Sequence, residues 1–136
     1  MHTNVSFVDF IELNKSRVLL REDDIIHIKI KDEEEINSAE FEDIIRAVSE
    51  LGEAKAKCIM LEAGLNSSVS SRVRSNASHP NANFLSLADA IVVKSLAQRL
   101  MANFYLKFNR PSRPTKVFEN CTDAVNWLYK VKKDLL

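Results

Sequence analysis

In DIIHIKIKD (24–32), Ile26, Ile28 and Ile30 alternate with His27, Lys29 and Lys31. An extended chain puts those isoleucines on one face and the polar groups on the other, the period-2 pattern of a half-buried antiparallel strand. SFVDFIEL (6–13) and RVLLRED (17–23) are the strand candidates before it, separated by a turn at NKS (14–16). REDD at 21–24 supplies the next turn, so 17–31 is expected to form a hairpin. On this reading His27 faces solvent.

The period then changes. Phe41, Ile44, Ile45, Val48 and Leu51 make one helical stripe, opened by Asn37 with Glu40 three residues on and closed by Gly52. The opening resembles a capping box and the closing glycine a C-terminal cap. AKCIMLEAG (56–64) is a short apolar run of the kind that makes a buried strand. SVSSRVRSNA offers only Val69, Val73 and Ala77 as an apolar stripe, enough for a short helix, and the loop SHPNANF follows. ADAIVVKS (88–95) reads as a second buried strand, with Ser95 placed to cap a third helix, LAQRLMANFYLKFN. In that helix Leu96, Leu100, Phe104 and Phe108 recur every four residues, beside Met101 and Tyr105, until Pro111 stops it. A strand over 115–119 and a last helix opened by Asn120 and Asp123 complete the chain, with Val125, Leu128, Val131 and Leu135 inward. After the opening strands the order is β-α-β-α-β-α-β-α, which argues for an α/β domain whose later strands run parallel.

Length bears on the domain count: 136 residues fit one domain, taken here as 1–136. A hydrophobic fraction of 46% and a charged fraction of 28% are those of an ordinary globular chain. Every apolar run is interrupted by charge before it reaches the ~20 residues of a membrane span. MHTNVSFVDF lacks the basic-then-apolar order of a secretory signal, and Cys58 and Cys121 form no CxxC, so a reducing cytoplasm is the expected setting. Net charge is zero but divided. Residues 1–68 hold 8 Lys/Arg against 15 Asp/Glu, a net of −7; residues 69–136 hold 11 against 4, a net of +7. Either this dipole orients a partner or a second copy, or the halves interleave and their charges mix. The scattered basic residues and missing aromatic platform argue against nucleic acid.

No catalytic motif is present. With only Gly52 and Gly64, neither GxGxxG nor GxxxxGK[ST] can occur, and HExxH and GxSxG are missing. His2, His27 and His79 have no metal-ligand spacing, and no cofactor is expected. Cys121, near a helix start, is a thiol whose pKa a helix N-terminus can lower. Phe104, Tyr105, Phe108 and Trp127 at helical spacing are expected in the core, and the alternative is an apolar ligand pocket near Phe84, Met101, Phe104 and Tyr105. EAGLNSSVSSRVR (62–74) packs four serines into five residues between a strand and a helix. Ser67 or Ser68 there can cap the helix or accept a phosphate, with Arg72 and Arg74 close behind to meet an anion.

The hairpin, the four β/α units and the serine loop after the first inner strand resemble the STAS domain, the SpoIIAA-like fold of bacterial anti-sigma-factor antagonists. The block LADAIVVKSLAQRLMANFYLKFNRPSRPTKVFENCTDAVNWL is similar to a group of small bacterial STAS-like proteins without an assigned function, and the resemblance covers about residues 17–135. It implies a mixed sheet with helices mainly on one face, and a non-catalytic regulatory domain acting through a protein partner or as a homodimer. The antagonists' phosphorylated motif, Asp-Ser-Ser/Thr-Gly, is matched here by Asn66-Ser67-Ser68-Val69, with asparagine for the aspartate and valine for the glycine. On that basis Asn66, Ser67 and Ser68 form the implied switch loop, and Arg72, Arg74, Arg110 and Arg113 are candidate partner or anion contacts. SpoIIAA-like proteins are also compared with lipid-binding CRAL-TRIO domains, which implies the alternative of a lipid-like or nucleotide ligand in an apolar pocket.

Overall fold

A computed structural model describes residues 6–79 and 85–135. Its elements in order are β1 (Phe7–Glu12), β2 (Ser16–Arg21), β3 (Ile26–Ile30), β4 (Glu35–Ile36), α1 (Ser38–Leu51), β5 (Lys57–Glu62), β6 (Ser68–Val69) and α2 (Ser71–Ser78). Then come β7 (Ser86–Val92), α3 (Leu96–Phe104), a π-helical turn (Tyr105–Asn109), β8 (Thr115–Phe118) and α4 (Cys121–Leu135). Six strands form one sheet in the order β1-β2-β3-β5-β7-β8, antiparallel from β1 to β3 and parallel from β3 to β8. β4 and β6 make a small parallel pair apart from it. The expected α/β order and the 17–31 hairpin are both present.

Strand alternation divides the interior in two. Ile26, Ile28, Ile30 and Ile59 face α1 and α2, where Phe41, Ile44, Val48, Leu51 and Val73 close the core. Cys58 and Met60 of the same β5 point the other way and meet Ala88, Ala90 and Val92 of β7, with Ala124, Val125 and Leu128 of α4 over them. Three helices thus lie on one face and α4 alone on the other. Among the described residues no helix is long and apolar enough to cross a membrane. The acidic and basic halves of the chain meet in ion pairs such as Lys132–Asp24 and Lys94–Glu62, so their charges mix where β5 is inserted between β3 and β7.

α1 begins as its sequence predicts: the Glu40 carboxylate accepts a hydrogen bond from the Asn37 backbone N–H at 2.9 Å. Its end differs. Gly52 has φ −88°, and the left-handed conformation passes to Glu53 and Ala54, at φ 53° and 59°. Space, not φ, restricts Gly52, since an added Cβ would lie 3.0 Å from the Lys55 carbonyl oxygen. Gly64 is tighter: a Cβ there would lie 2.5 Å from the Ile30 carbonyl oxygen and 2.6 Å from that of Lys31.

The α3 stripe is the main departure. Leu96, Leu100, Phe104 and Phe108 are exposed, at 72, 60, 47 and 62%. The residues buried here are Ala102 and Tyr105, so the core reading holds for Tyr105 but not for Phe104 or Phe108. The predicted single helix also changes at Tyr105 into the π-helical turn, which ends at Arg110 in the left-handed region (φ 49°) just before Pro111. Leu135, expected inward, is exposed at the end of α4.

Candidate functional site

Small residues on the inner face of α3 leave room above the sheet. Between α1, α2 and α3 lies a cavity of about 340 Å³. Its floor is Ile28, Ile59, Leu61, Ile91 and Val93; Phe41 and Ile44 of α1 and Val73 and Ala77 of α2 form one wall; Ala97, Met101, Ala102 and Tyr105 form the other. The lining is overwhelmingly apolar, and the polar groups at its border are few.

The first polar group is an ion pair. Arg113 Nε donates to Asp89 Oδ2 at 2.7 Å and Nη2 lies 2.6 Å from the same oxygen, while Nη1 donates to the Ala77 carbonyl at 2.7 Å. Both side chains are about nine-tenths buried. The Ser86 hydroxyl donates to the other Asp89 oxygen. Burial pushes the Tyr105 hydroxyl up to about 12, against the opposing pull of the Arg113 charge. One Arg113 side chain therefore ties α2, β7 and the π-helical turn together at one end of the cavity.

The serine loop borders another part of it. Gln98 Nε2 donates to the Gly64 and Ser67 carbonyls at 2.8 and 3.2 Å, and Ser95 Oγ accepts from the Gln98 N–H at 3.1 Å, capping α3 as expected. Asn66 adopts φ 56°, a conformation asparagine tolerates, and donates to Glu33 Oε1 at 2.9 Å. Ser67 is buried and its hydroxyl donates to the Gly64 carbonyl at 2.9 Å; Ser68 is exposed in β6. Neither caps α2. That role belongs to Ser70, whose Oγ accepts from the Val73 N–H at 3.3 Å, because the β4–β6 pair carries the chain past Ser68 before the helix starts.

The four candidate arginines do not converge. Arg74 and Arg113 border the cavity, with Arg74 donating to the Val69 carbonyl, whereas Arg72 and Arg110 face solvent. Of the expected pocket residues, Met101 and Tyr105 line the cavity, Phe104 is half-exposed on the outer side of α3 stacked against Phe108, and Phe84 lies outside the described residues.

A second cluster lies on the opposite face of the sheet. His27 Nε2 is 2.8 Å from Glu62 Oε1, and Cys121 at the start of α4 completes a group whose ligand atoms all lie within 4.8 Å of one another. His27 is 15% exposed, so it is not the solvent-facing residue that strand alternation alone predicts; α4 lies on its side of the sheet. The hydrogen bond from His27 draws the Glu62 carboxyl down to about 2 against the opposing effect of burial, with Lys94 adding to it. Burial, and then the Glu62 charge, push the Cys121 thiol up to about 11, opposite to the lowering expected from a helix N-terminus. Along the sequence His27 and Cys121 lie far apart, and Glu62 carries no signal of its own. Only the β3–β5 register and the placement of α4 bring the three together.

A family model described as a domain of unknown function, DUF7793, matches residues 19–132. No curated protein matches the chain. Among solved structures, the chain is similar to an uncharacterized protein of the DUF3478 family, with a SpoIIAA-like fold, from Shewanella loihica PV-4. The likeness has a TM-score of 0.52 at 14% identity and covers 88% of this chain and 90% of that one. At that identity the likeness is one of fold, and the fold here is SpoIIAA-like.

Proposed function

The chain belongs to the DUF7793 family of domains of unknown function, and from its cavity we propose that it acts by binding, holding a small amphipathic molecule between α1, α2 and α3 rather than transforming it. The observation that carries this reading is the cavity itself. At about 340 Å³ it falls at the small end of the roughly 300–1,000 Å³ range of ligand pockets, and its lining is of the apolar kind such pockets have. Apolar surface left against water is unfavourable, so an apolar space that water can enter favours an apolar occupant. The buried Asp89–Arg113 pair sets the polar end. Because Arg113 is already matched by Asp89, a head group that donates and accepts hydrogen bonds suits this end better than a bare carboxylate.

1-Octanol and octanoate are suitable probes. The alcohol is expected to raise the melting temperature of the full chain in a concentration-dependent way and the carboxylate to do so less, since a ligand that binds only the folded state stabilises it. Ala102→Phe, which places a ring in the cavity from α3, is expected to abolish the effect. Stabilisation by neither probe, with no retained small molecule in native mass spectra of the protein from its own cells, would overturn the reading.

The exposed Leu96, Leu100, Phe104 and Phe108 stripe supports a second role, contact with a protein partner or a second copy. In that role Asn66 and Ser68 of the loop, with Arg72 and Arg110 on the surface, supply polar contacts, and Ser68 rather than the buried Ser67 is the accessible phosphate acceptor. Light scattering of the wild type and of Phe104→Lys tests it: a dimer that the substitution dissociates supports it, and a monomer in both removes the second copy as the partner.

A further inference from the structure

We propose that His27, Glu62 and Cys121 form a zinc site, on the sheet face opposite the cavity and independent of the ligand reading. An imidazole, a carboxylate and a thiol are the three side-chain types that bind Zn²⁺, and three protein ligands with a fourth position left to water make a familiar tetrahedral set. The three ligand atoms lie within 4.8 Å of one another, each on partly buried side chains. They come from three separate elements, β3, β5 and the first residue of α4, so the fold rather than local chain geometry holds them.

The charges fit. Binding would convert the Cys121 thiol to thiolate and release one proton to solvent, so that thiolate and carboxylate together neutralise the two positive charges of the ion. Glu62 Oε1 would turn from His27 to the metal, while Oε2 keeps its ion pair with Lys94 Nζ at 3.0 Å. Such an outer partner orients a ligating carboxylate, and its loss typically weakens binding by about 10–100-fold. Lys94 and Lys29 are the cations facing the cluster; their charge repels the ion, while the same charge eases the loss of the Cys121 proton that binding requires.

Co²⁺ reports the ligand set directly. Added to the full-length protein purified with chelator, it is expected to bind once per chain with a thiolate-to-cobalt charge-transfer band, and Zn²⁺ should displace it. Cys121→Ser should abolish the band, His27→Gln and Glu62→Gln should each weaken binding at least tenfold, and Cys58→Ser, in the buried core, should leave the band in place. No band in the wild type would overturn the proposal, and that result needs no variant to fold. A band of undiminished affinity in both His27→Gln and Glu62→Gln would overturn it as well, because it would mean a lone thiol binding metal adventitiously.

Discussion

Arg113→Ala tests how the end of the cavity is held. The guanidinium makes two contacts to Asp89 Oδ2 at 2.6 and 2.7 Å and one to the Ala77 carbonyl at 2.7 Å, with about a tenth of each charged side chain exposed. Removing one partner of a buried pair strands the other, which typically costs about 3–5 kcal/mol. Asp89 keeps the Ser86 hydroxyl and borders a cavity that water can enter, so the lower end, about 3 kcal/mol, is expected. Against a total stability of roughly 5–15 kcal/mol this is a large fraction. Asp89→Asn should cost less, roughly 1–3 kcal/mol, because an amide can still accept from Arg113. The double variant should lose clearly less than the sum. Urea unfolding followed by circular dichroism at neutral pH gives all three values. A loss below about 1 kcal/mol for Arg113→Ala, or additivity within about 0.5 kcal/mol, would refute the view that this pair is buried and coupled.

Three further outcomes follow from other parts of the molecule. Gly64→Ala should destabilise by roughly 2–3 kcal/mol, as overpacking against backbone does, and by more than Gly52→Ala, whose added carbon has more room; equal midpoints in urea would contradict the steric account. Leu100→Lys should change stability by no more than about 0.5 kcal/mol, as an exposed site does, whereas a core leucine would cost about 2–5 kcal/mol, and thermal unfolding separates the two. Burial pushes the Asp23 carboxyl up, but the hydrogen bonds from Arg21 and Tyr129 outweigh it and hold the group below its ordinary 3.8. Its contribution is therefore complete above that ordinary value and is lost as pH falls through the lowered one, and Asp23→Asn should flatten the acid limb of a stability–pH curve; an unchanged limb would show the network to be inert.

The sequence made some of this legible because the signal was local. Alternating Ile26, Ile28 and Ile30 marked a strand and its core face, though not that α4 would cover the other face, and Asn37 with Glu40 marked the start of α1 from a spacing of three. α3 shows the limit. Period-four spacing says that Leu96, Leu100, Phe104 and Phe108 share a face, but not which face meets the sheet, and here Ala102 and Tyr105 do. Choosing among four serines for the α2 cap needed the two-residue β4–β6 pair, which leaves no periodic trace. Nothing in the local pattern announces the π-helical turn. The cavity and the His27–Glu62–Cys121 group arise from distant segments, and spacing along one chain does not encode which of them meet.

The position of β5 also sets an order of assembly. The connections from β1 to β2 and from β2 to β3 are short, so that antiparallel ladder closes at little entropic cost, whereas β3 can reach β5 only across the segment that contains α1. Until β5 docks, both interiors are unfinished, since Ile59 belongs to one and Met60 to the other. Amide protons along β5 should accordingly exchange only when the whole domain unfolds. α3 and its π-helical turn contribute no residue to either buried cluster among the described residues; what holds them is the burial of Ala102 and Tyr105 over the cavity and the hydrogen bonds of Gln98 to the Gly64 and Ser67 carbonyls.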